Sequence, residues 1–288
     1  MSGKKVLVTG SSGLLGSSIL KNLSYGNIIS LGTEIDITNQ KDILNTLNDI
    51  KPDIIIHAAA YTNVEACEVE QDKTYLINTI GTQNIVNYCI GKDLLLVYIS
   101  STGIYGNSKK SEAYTEFDLI NPTTVHHKSK YEGEKVIQNH LSKYLILRTG
   151  WLYGGDKTHN KNFVYKRFLE AKNSDIIYSD DSQIGNPTYV NDFVKQIDVL
   201  IESKQFGIFN CVNEAIEISR YDYIKKIVEL FSVDCSVNIA SKSMFKRVAP
   251  VSMNESAQNY KLGLLNMNIM PVWDKSLEDY INSIKDTQ

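Results

Sequence analysis

Between residues 5 and 149, short and almost continuously apolar runs alternate with longer stretches whose apolar positions recur at helical spacing. The runs at 5–9, 27–31, 54–57, 94–100 and 144–149 are rich in Val, Ile and Leu. A strand reads that way when helices cover both faces of its sheet, so each run predicts a buried strand. The stretches at 14–23, 40–47, 73–90 and about 124–141 predict helices. Strand and helix in turn is the order that builds parallel strands joined by crossover helices, and it predicts a doubly wound α/β sheet over residues 1–150.

Beyond residue 151 the order loosens. A polar stretch at 154–160 precedes a helix at 163–172, a strand at 175–178 and helices around 190–201 and 221–231. Residues 151–288 are therefore expected to form a smaller α/β lobe, woven onto the first part because no repeat or low-complexity linker separates them. The length of 288 residues suits one large core with such a lobe. With 42% hydrophobic and 22% charged residues and a net charge of −3, the chain is neither disordered nor built for nucleic acid. Cys67, Cys89, Cys211 and Cys235 stand far apart, with no CxxC pair and no zinc-ligand spacing, so reduced thiols and no metal are expected. The opening Met1-Ser2-Gly3-Lys4-Lys5 lacks the features of a secretory signal, and no apolar stretch reaches the roughly 18 residues of a membrane span. A cytoplasmic protein with no membrane partner is expected.

The first predicted strand runs into Gly10-Ser11-Ser12-Gly13-Leu14-Leu15-Gly16, which opens a helix. Glycines at this spacing permit a tight turn, let backbone approach a pyrophosphate and let the helix pack against the strand. The helix N-terminus then offers free N–H groups and the positive end of its dipole. With a strand before it and a helix after it, the pattern predicts a dinucleotide, NADP or NAD. An acidic residue for the adenosine ribose is expected about 20 residues further on. The residues there are Leu31-Gly32-Thr33-Glu34, in which Glu34 lies late for that role, and no arginine stands ready for a 2′-phosphate. The choice between NADH and NADPH stays open.

Further motifs extend the pattern along the chain. They are Glu34-Ile35-Asp36-Ile37-Thr38, the segment 51–64 with Ala58-Ala59-Ala60-Tyr61-Thr62-Asn63, Asn78 in Ile77-Asn78-Thr79, and Arg148-Thr149-Gly150-Trp151-Leu152-Tyr153-Gly154. Asn162-Phe163, Gln183-Ile184-Gly185-Asn186-Pro187-Thr188 and Pro271-Val272-Trp273-Asp274-Lys275-Ser276-Leu277 complete the set. Together they resemble the extended short-chain dehydrogenases and, within them, the dTDP-4-dehydrorhamnose reductase family. The resemblance implies a Rossmann-type sheet with a substrate-binding lobe, and NAD(P)H-dependent reduction of a nucleotide-activated 4-keto-deoxy sugar. It assigns cofactor contacts to Gly10, Ser12, Gly13, Leu14, Leu15, Gly16, Asp36, Ile37, Ala58, Ala59, Ala60, Asn78 and Lys130. It assigns substrate contacts to Thr102, Trp151, Asn162 and Gln183. Related proteins often associate through the helices expected here at 73–90 and 124–141, which implies a homodimer.

Ketone reduction needs a proton donor, a second hydroxyl and a nearby cation. The family's Ser or Thr falls on Ser101, its Lys on Lys130, and its Tyr on His126. A literal Tyr-x-x-x-Lys occurs at Tyr131 and Lys135, but five residues rotate a helix by about 500°, which turns that pair away from the His126 face. Three readings of His126 follow. It is an imidazolium acid weakened by Lys130, or part of a non-catalytic dinucleotide-binding subunit, or a surface histidine without a role. The segment Ser100-Ser101-Thr102-Gly103-Ile104-Tyr105-Gly106 resembles sugar-nucleotide epimerases and dehydratases, which keeps that class as a rival.

Overall fold

The computed structural model describes residues 3–109, 112–157, 159–241, 244 and 246–285. The five predicted strands all form, as β1 (Val6–Thr9), β2 (Ile28–Leu31), β3 (Ile54–His57), β4 (Leu95–Ser101) and β5 (Tyr144–Thr149). Helix α1 (Leu14–Asn22) follows β1, and α2 (Gln40–Ile50) follows β2 from an N-cap at Asn39 whose side chain accepts from Asp42 N. After α3 (Val64–Val69), the helix expected at 73–90 forms over residues 71–89 as α4 (Gln71–Tyr75), a π-helical turn at Leu76–Ile80 and α5 (Gly81–Cys89), which follow one another without interruption. The π turn widens the helix at Asn78, a distortion common at functional positions.

Helix α6 (Val125–His140) leads into β5, and the lobe begins with β6 (Leu152–Tyr153), α7 (Phe163–Lys172), β7 (Ile176–Ser179) and β8 (Thr188–Tyr189). The chain then returns to the sheet. Helix α8 (Val190–Ser203) packs on α1, where Ser18 Oγ donates to Asn191 Oδ1 at 2.7 Å, and β9 (Gly207–Asn210) pairs with β5. The remaining elements are α9 (Arg220–Phe231), β10 (Ser236–Ile239), α10 (Tyr260–Leu264) and α11 (Trp273–Lys285). Strand β9 was not expected from its sequence, because Gly207-Ile208-Phe209-Asn210 is too short to carry a pattern and sits at the sheet edge.

All six strands of the main sheet run parallel in the order β2-β1-β3-β4-β5-β9. The register sets Thr9 opposite both Leu31 and His57, and Ser101 opposite Thr149, so these strands finish at one edge. One face of the sheet packs on α1 and α8 through Val8, Ile19, Phe193 and Ile197. The other packs on α2, α5 and α6 through Leu7, Leu47, Val86 and Ile137. An aromatic cluster of Tyr153, Tyr223 and Tyr280 holds the lobe. Among the described residues, no helix is long and apolar enough to cross a membrane.

A buried polar chain crosses the layers. Arg148 of β5 donates to Glu134 of α6 through Nε at 3.1 Å and Nη2 at 2.7 Å, with side-chain exposures of 3% and 0%. Ser100 donates to the same carboxylate, Arg148 Nη1 donates to Tyr105 Oη at 3.0 Å, and that hydroxyl donates to Asn210 Oδ1 at 2.7 Å. Burial alone would lower the Arg148 pKa, but Glu134 holds it above its ordinary value. Removing one member leaves an uncompensated buried charge. Glu134→Leu or Arg148→Met alone is expected to cost about 3–5 kcal/mol in urea unfolding, and the double substitution less than the sum of the two.

Candidate active site

The Gly10–Gly16 turn is shaped by close approach of backbone. Gly10 has φ +68°, and a Cβ there would fall 2.6 Å from Ala59 N. A Cβ on Gly16 would fall 2.1 Å from Gly10 O, so α1 lies directly on the turn. Gly13 caps α1 without a side-chain hydrogen bond, and no acidic residue occupies the first helical turn. The leading N–H groups around Leu14 and Leu15 thus have no competing anion, and Ser12 is exposed beside them. These features fit a pyrophosphate: a backbone cradle that side chains would fill, facing an uncapped helix end.

Beside the turn, Ala58, Ala59 and Ala60 leave β3 half-buried, with Ala58 N donating to Thr9 O and Ala59 N to Thr9 Oγ1, each at 3.3 Å. Asn78 fixes the next residue, since its Oδ1 accepts from Tyr61 N at 2.7 Å and its Nδ2 donates to Tyr61 O at 3.1 Å and Ser129 Oγ at 2.9 Å. Behind it, His57 bridges Thr9 Oγ1 and Thr82 Oγ1 at 2.7 and 3.1 Å. Burial, with Lys130 nearby, pushes the His57 pKa down to about 3. Asp36 is exposed, and its carboxylate accepts from Thr38 N and Oγ1, which makes it a turn residue. Ile37 is buried against Gly81, and its carbonyl accepts from Asn84.

Ser101 ends β4 at the same edge, and its hydroxyl accepts from Gly103 N at 3.2 Å, capping a 3-10 turn at Thr102–Tyr105. Thr102 is buried, with its hydroxyl against Gly150. Helix α6 starts beside them from an N-cap at Thr124, while Glu68 of α3 accepts from Val125 N at 2.7 Å. Its first turns carry His126 and Lys130, 8% and 4% exposed. The Tyr131–Lys135 pair lies on the outer face, where Lys135 is 44% exposed and pairs with Glu132.

His126 is not a surface residue, which corrects one of its three readings: the 58–62 segment covers it, and its Nδ1 lies 3.0 Å from Tyr61 O. A carbonyl oxygen only accepts, so Nδ1 carries the hydrogen and Nε2 presents a lone pair. Burial, then His127 and Lys130, hold the His126 pKa well below its ordinary value, outweighing the Tyr61 bond. The resting side chain is a neutral imidazole. Lys130 sits with Nζ 3.9 Å from the centroid of the Tyr98 ring, and burial lowers its pKa to about 7 against the opposing pull of Glu134. Of the two, Lys130 is the one still partly protonated at neutral pH.

On the lobe side, Trp151 adopts φ 44°, uncommon for a bulky residue, and its ring is held between Gly185 and the Arg220 guanidinium, which lies 3.4 Å from the ring centroid. Trp151 Nε1 donates to Glu255 at 2.8 Å. Burial lowers the Arg220 pKa to about 10, and no carboxylate among the described residues lies within salt-bridge distance of it. Gln183 donates to Ser252 O at 3.2 Å, and its buried Oε1 has no partner among the described residues. Asn162 behaves differently. It is fully buried, its Oδ1 caps α7 by accepting from Tyr165 N at 3.0 Å, and its Nδ2 donates to Asp156 O and Tyr280 Oη. All its polar groups are thereby engaged within the protein. Sequence reasoning missed Arg220, Glu255 and Lys161, whose Nζ donates to Thr62 Oγ1 at 2.8 Å. No local pattern marks them, because each reaches the site from a different loop or helix end. A separate hollow of about 880 Å³ lies between Glu112, Ile216, Tyr260 and Trp273 and contains none of these residues.

Comparison with known proteins places this geometry among relatives. Residues 4–285 match the family model described as the RmlD substrate binding domain. The chain is 33% identical over 229 residues to a dTDP-4-dehydrorhamnose reductase of Aggregatibacter actinomycetemcomitans, covering 76% of each chain. It superposes on a dTDP-4-dehydrorhamnose reductase from Clostridium acetobutylicum with a TM-score of 0.91 at 33% identity, covering 98% of this chain and 99% of the other. On the reductase from Bacillus anthracis, solved in complex with NADP, the TM-score is 0.92 at 32% identity, covering 98% and 100%.

The buried imidazoles generate a test. Burial also lowers His127 to about 4, so His57, His126 and His127 are neutral when folded but take up protons near pH 6.5 when unfolded. Their folded pKa values are depressed, so their contribution is complete above about pH 6.5 and declines as pH falls toward 4. Urea unfolding free energy is expected to drop below pH 6.5 by on the order of 1.4 kcal/mol per pH unit for each imidazole. In His126→Asn that slope should be shallower by about a third.

Proposed function

The chain belongs to the dTDP-4-dehydrorhamnose reductase family, the family of the RmlD substrate binding domain, and we propose that it is an oxidoreductase reducing a nucleotide-activated 4-keto-deoxy sugar with NAD(P)H. The observation that carries this reading is the convergence, at one edge of the sheet, of the bare Gly10–Gly16 cradle, Ser101, and the buried His126 and Lys130 of α6. When bound, the dinucleotide supplies the hydride. The chain's own residues orient the ketone, exclude water and hold the proton.

Gly10, Ser12, Gly13, Gly16 and the N-terminus of α1 hold the pyrophosphate in this reading, and Ala58–Ala60, Ile37 and Asn78 shape the adjoining floor. Ser101 orients the sugar oxygen. The proton comes from His126 and Lys130 acting as a pair, because His126 Nε2 is a bare acceptor at rest and Lys130, one turn along, carries the proton. Asn162 acts only by positioning α7. Trp151, Gln183 and Arg220 meet the nucleotide end of the substrate, with the Arg220 guanidinium, which has no carboxylate at salt-bridge distance among the described residues, matched to its phosphates. Asp36 borders the adenine through its turn with Thr38. The protein acts in the cytoplasm as a homodimer, joined through the helices at 71–90 and 125–140, where Leu76, Ile80 and Ile90 leave an exposed apolar strip.

The test is consumption of NADPH or NADH with a panel of nucleotide 4-keto sugars, beside direct dinucleotide titration. Because Lys130 loses its proton near pH 7, kcat/KM for reduction is expected to fall as pH rises through about 7. Lys130→Met abolishes turnover, and His126→Tyr moves the fall to higher pH. A profile flat from pH 6 to 9 would refute the paired donor, and dinucleotide binding without turnover on every sugar would favour a non-catalytic binding subunit. Protein that purifies with tightly held NAD and interconverts sugars without net oxidation would favour an epimerase. Arg220→Ala should raise KM for the nucleotide sugar about tenfold or more, the loss of one hydrogen bond to a charged group, with dinucleotide affinity unchanged.

A further inference from the structure

The adenosine side of the site carries an acid that the linear sequence places too late. Glu34 stands three residues beyond the end of β2, yet residues 32–34 turn back so that its Oε1 accepts from Gly32 N at 2.6 Å. The carboxylate therefore lies over the first residue past the strand, where an acid directed at the ribose is needed. Gly32 makes this possible, since a Cβ there would fall 2.6 Å from Glu34 Oε2. The same point lies 3.4 Å from Ser11 Oγ of the phosphate turn. Strands β1 and β2 end level, with Thr9 opposite Leu31, and Ser11 N donates to Leu31 O at 3.3 Å. Glu34 and the phosphate cradle are thus neighbours on adjacent strand ends.

We infer that Glu34 selects the dinucleotide, accepting hydrogen bonds from the adenosine ribose hydroxyls and rejecting a 2′-phosphate, so that the chain prefers NADH to NADPH. This rests on the reading that the Gly10–Gly16 turn holds a dinucleotide. Charge at the strand tip favours the unphosphorylated ribose. Neither residues 10–13 nor residues 30–38 contain a Lys or Arg, while Asp36 adds a second negative charge. The Gly32 N–H holds the Glu34 pKa below the usual carboxylate range, so the group is an ionised acceptor at neutral pH. A ribose hydroxyl can donate to such a group. A phosphate dianion has no proton to donate at that pH and meets like charge.

Titration of the whole protein with NADH and with NADPH, followed by nucleotide fluorescence or calorimetry, reads the preference without turnover. NADH is expected to bind at least about tenfold more tightly, a difference of about 1.4 kcal/mol. Glu34→Gln keeps the shape but removes the charge and should bring the two affinities within about threefold, mainly by improving NADPH. Competition by 5′-AMP and by adenosine 2′,5′-bisphosphate, which lack the nicotinamide, should show the same preference and the same loss of it. Equal affinities in the natural protein, or a preference that survives in Glu34→Gln, would overturn the inference and leave the reductase reading intact. Failure of both dinucleotides to bind would instead overturn the reading beneath it.

Discussion

The buried pair between Glu134 and Arg148 is the constraint on which the site depends, because it decides where the face of α6 lands on the sheet. Glu134 is one turn beyond Lys130 on the same helix face, so a bond that pins Glu134 to β5 also lowers Lys130 onto the Tyr98 ring of β4. The backbone repeats the restraint, with Tyr98 Oη donating to Lys130 O at 3.3 Å. Gly133 permits that approach, since a Cβ there would fall 2.5 Å from the same hydroxyl. A surface pair would not serve this purpose, as water and side-chain entropy would let it drift. A pair this buried must keep its partners or leave a charge without compensation, and here Ser100 and Tyr105 take up the remaining hydrogen bonds.

Burial that fixes geometry also fixes protonation. The carboxylate that anchors α6 opposes the desolvation of Lys130, which leaves its proton loosely held near neutrality. His126 has no such counter-charge and faces His127 and Lys130 instead, so it stays neutral and gives its one hydrogen to Tyr61 O. That carbonyl is itself held by Asn78, whose π-helical turn sets the side chain between Tyr61 and Ser129. The tautomer of His126 is therefore determined by an asparagine 48 positions earlier in the chain.

Most of the sheet was legible because its strands are buried on both faces, which leaves long apolar runs that periodicity detects. The glycine turn was legible for a related reason, since Gly10 and Gly16 answer to backbone contacts that nothing larger allows. What escaped was structure created by tertiary contact. Strand β9 is four residues long and gains its place from β5, and the π turn at Leu76–Ile80 carries Asn78, which bonds across to another loop. Asn162 carried a motif, but the motif serves a helix cap and the Tyr280 hydroxyl rather than an open surface. Counting along the chain likewise misses that Glu34 folds back onto Gly32 N, because a turn shortens the path that counting assumes.

The charges of the site are arranged differently from those of the chain as a whole. A protein of net charge −3 sets Lys130 and Lys161 beside His126 and Arg220 over Trp151, and places Glu34 and Asp36 just past the end of β2. Among the causes that lower His126 are Lys130 and Lys161, both positive. An anion placed between them would offset that repulsion and raise the pKa of each neighbouring base. Were a phosphate-bearing ligand to bind there, its binding and protonation of the neighbouring bases would by linkage favour one another. A neutral histidine at rest is thus compatible with a protonated one beside a bound anion, because the positive charge that suppresses it is the charge an anion would offset.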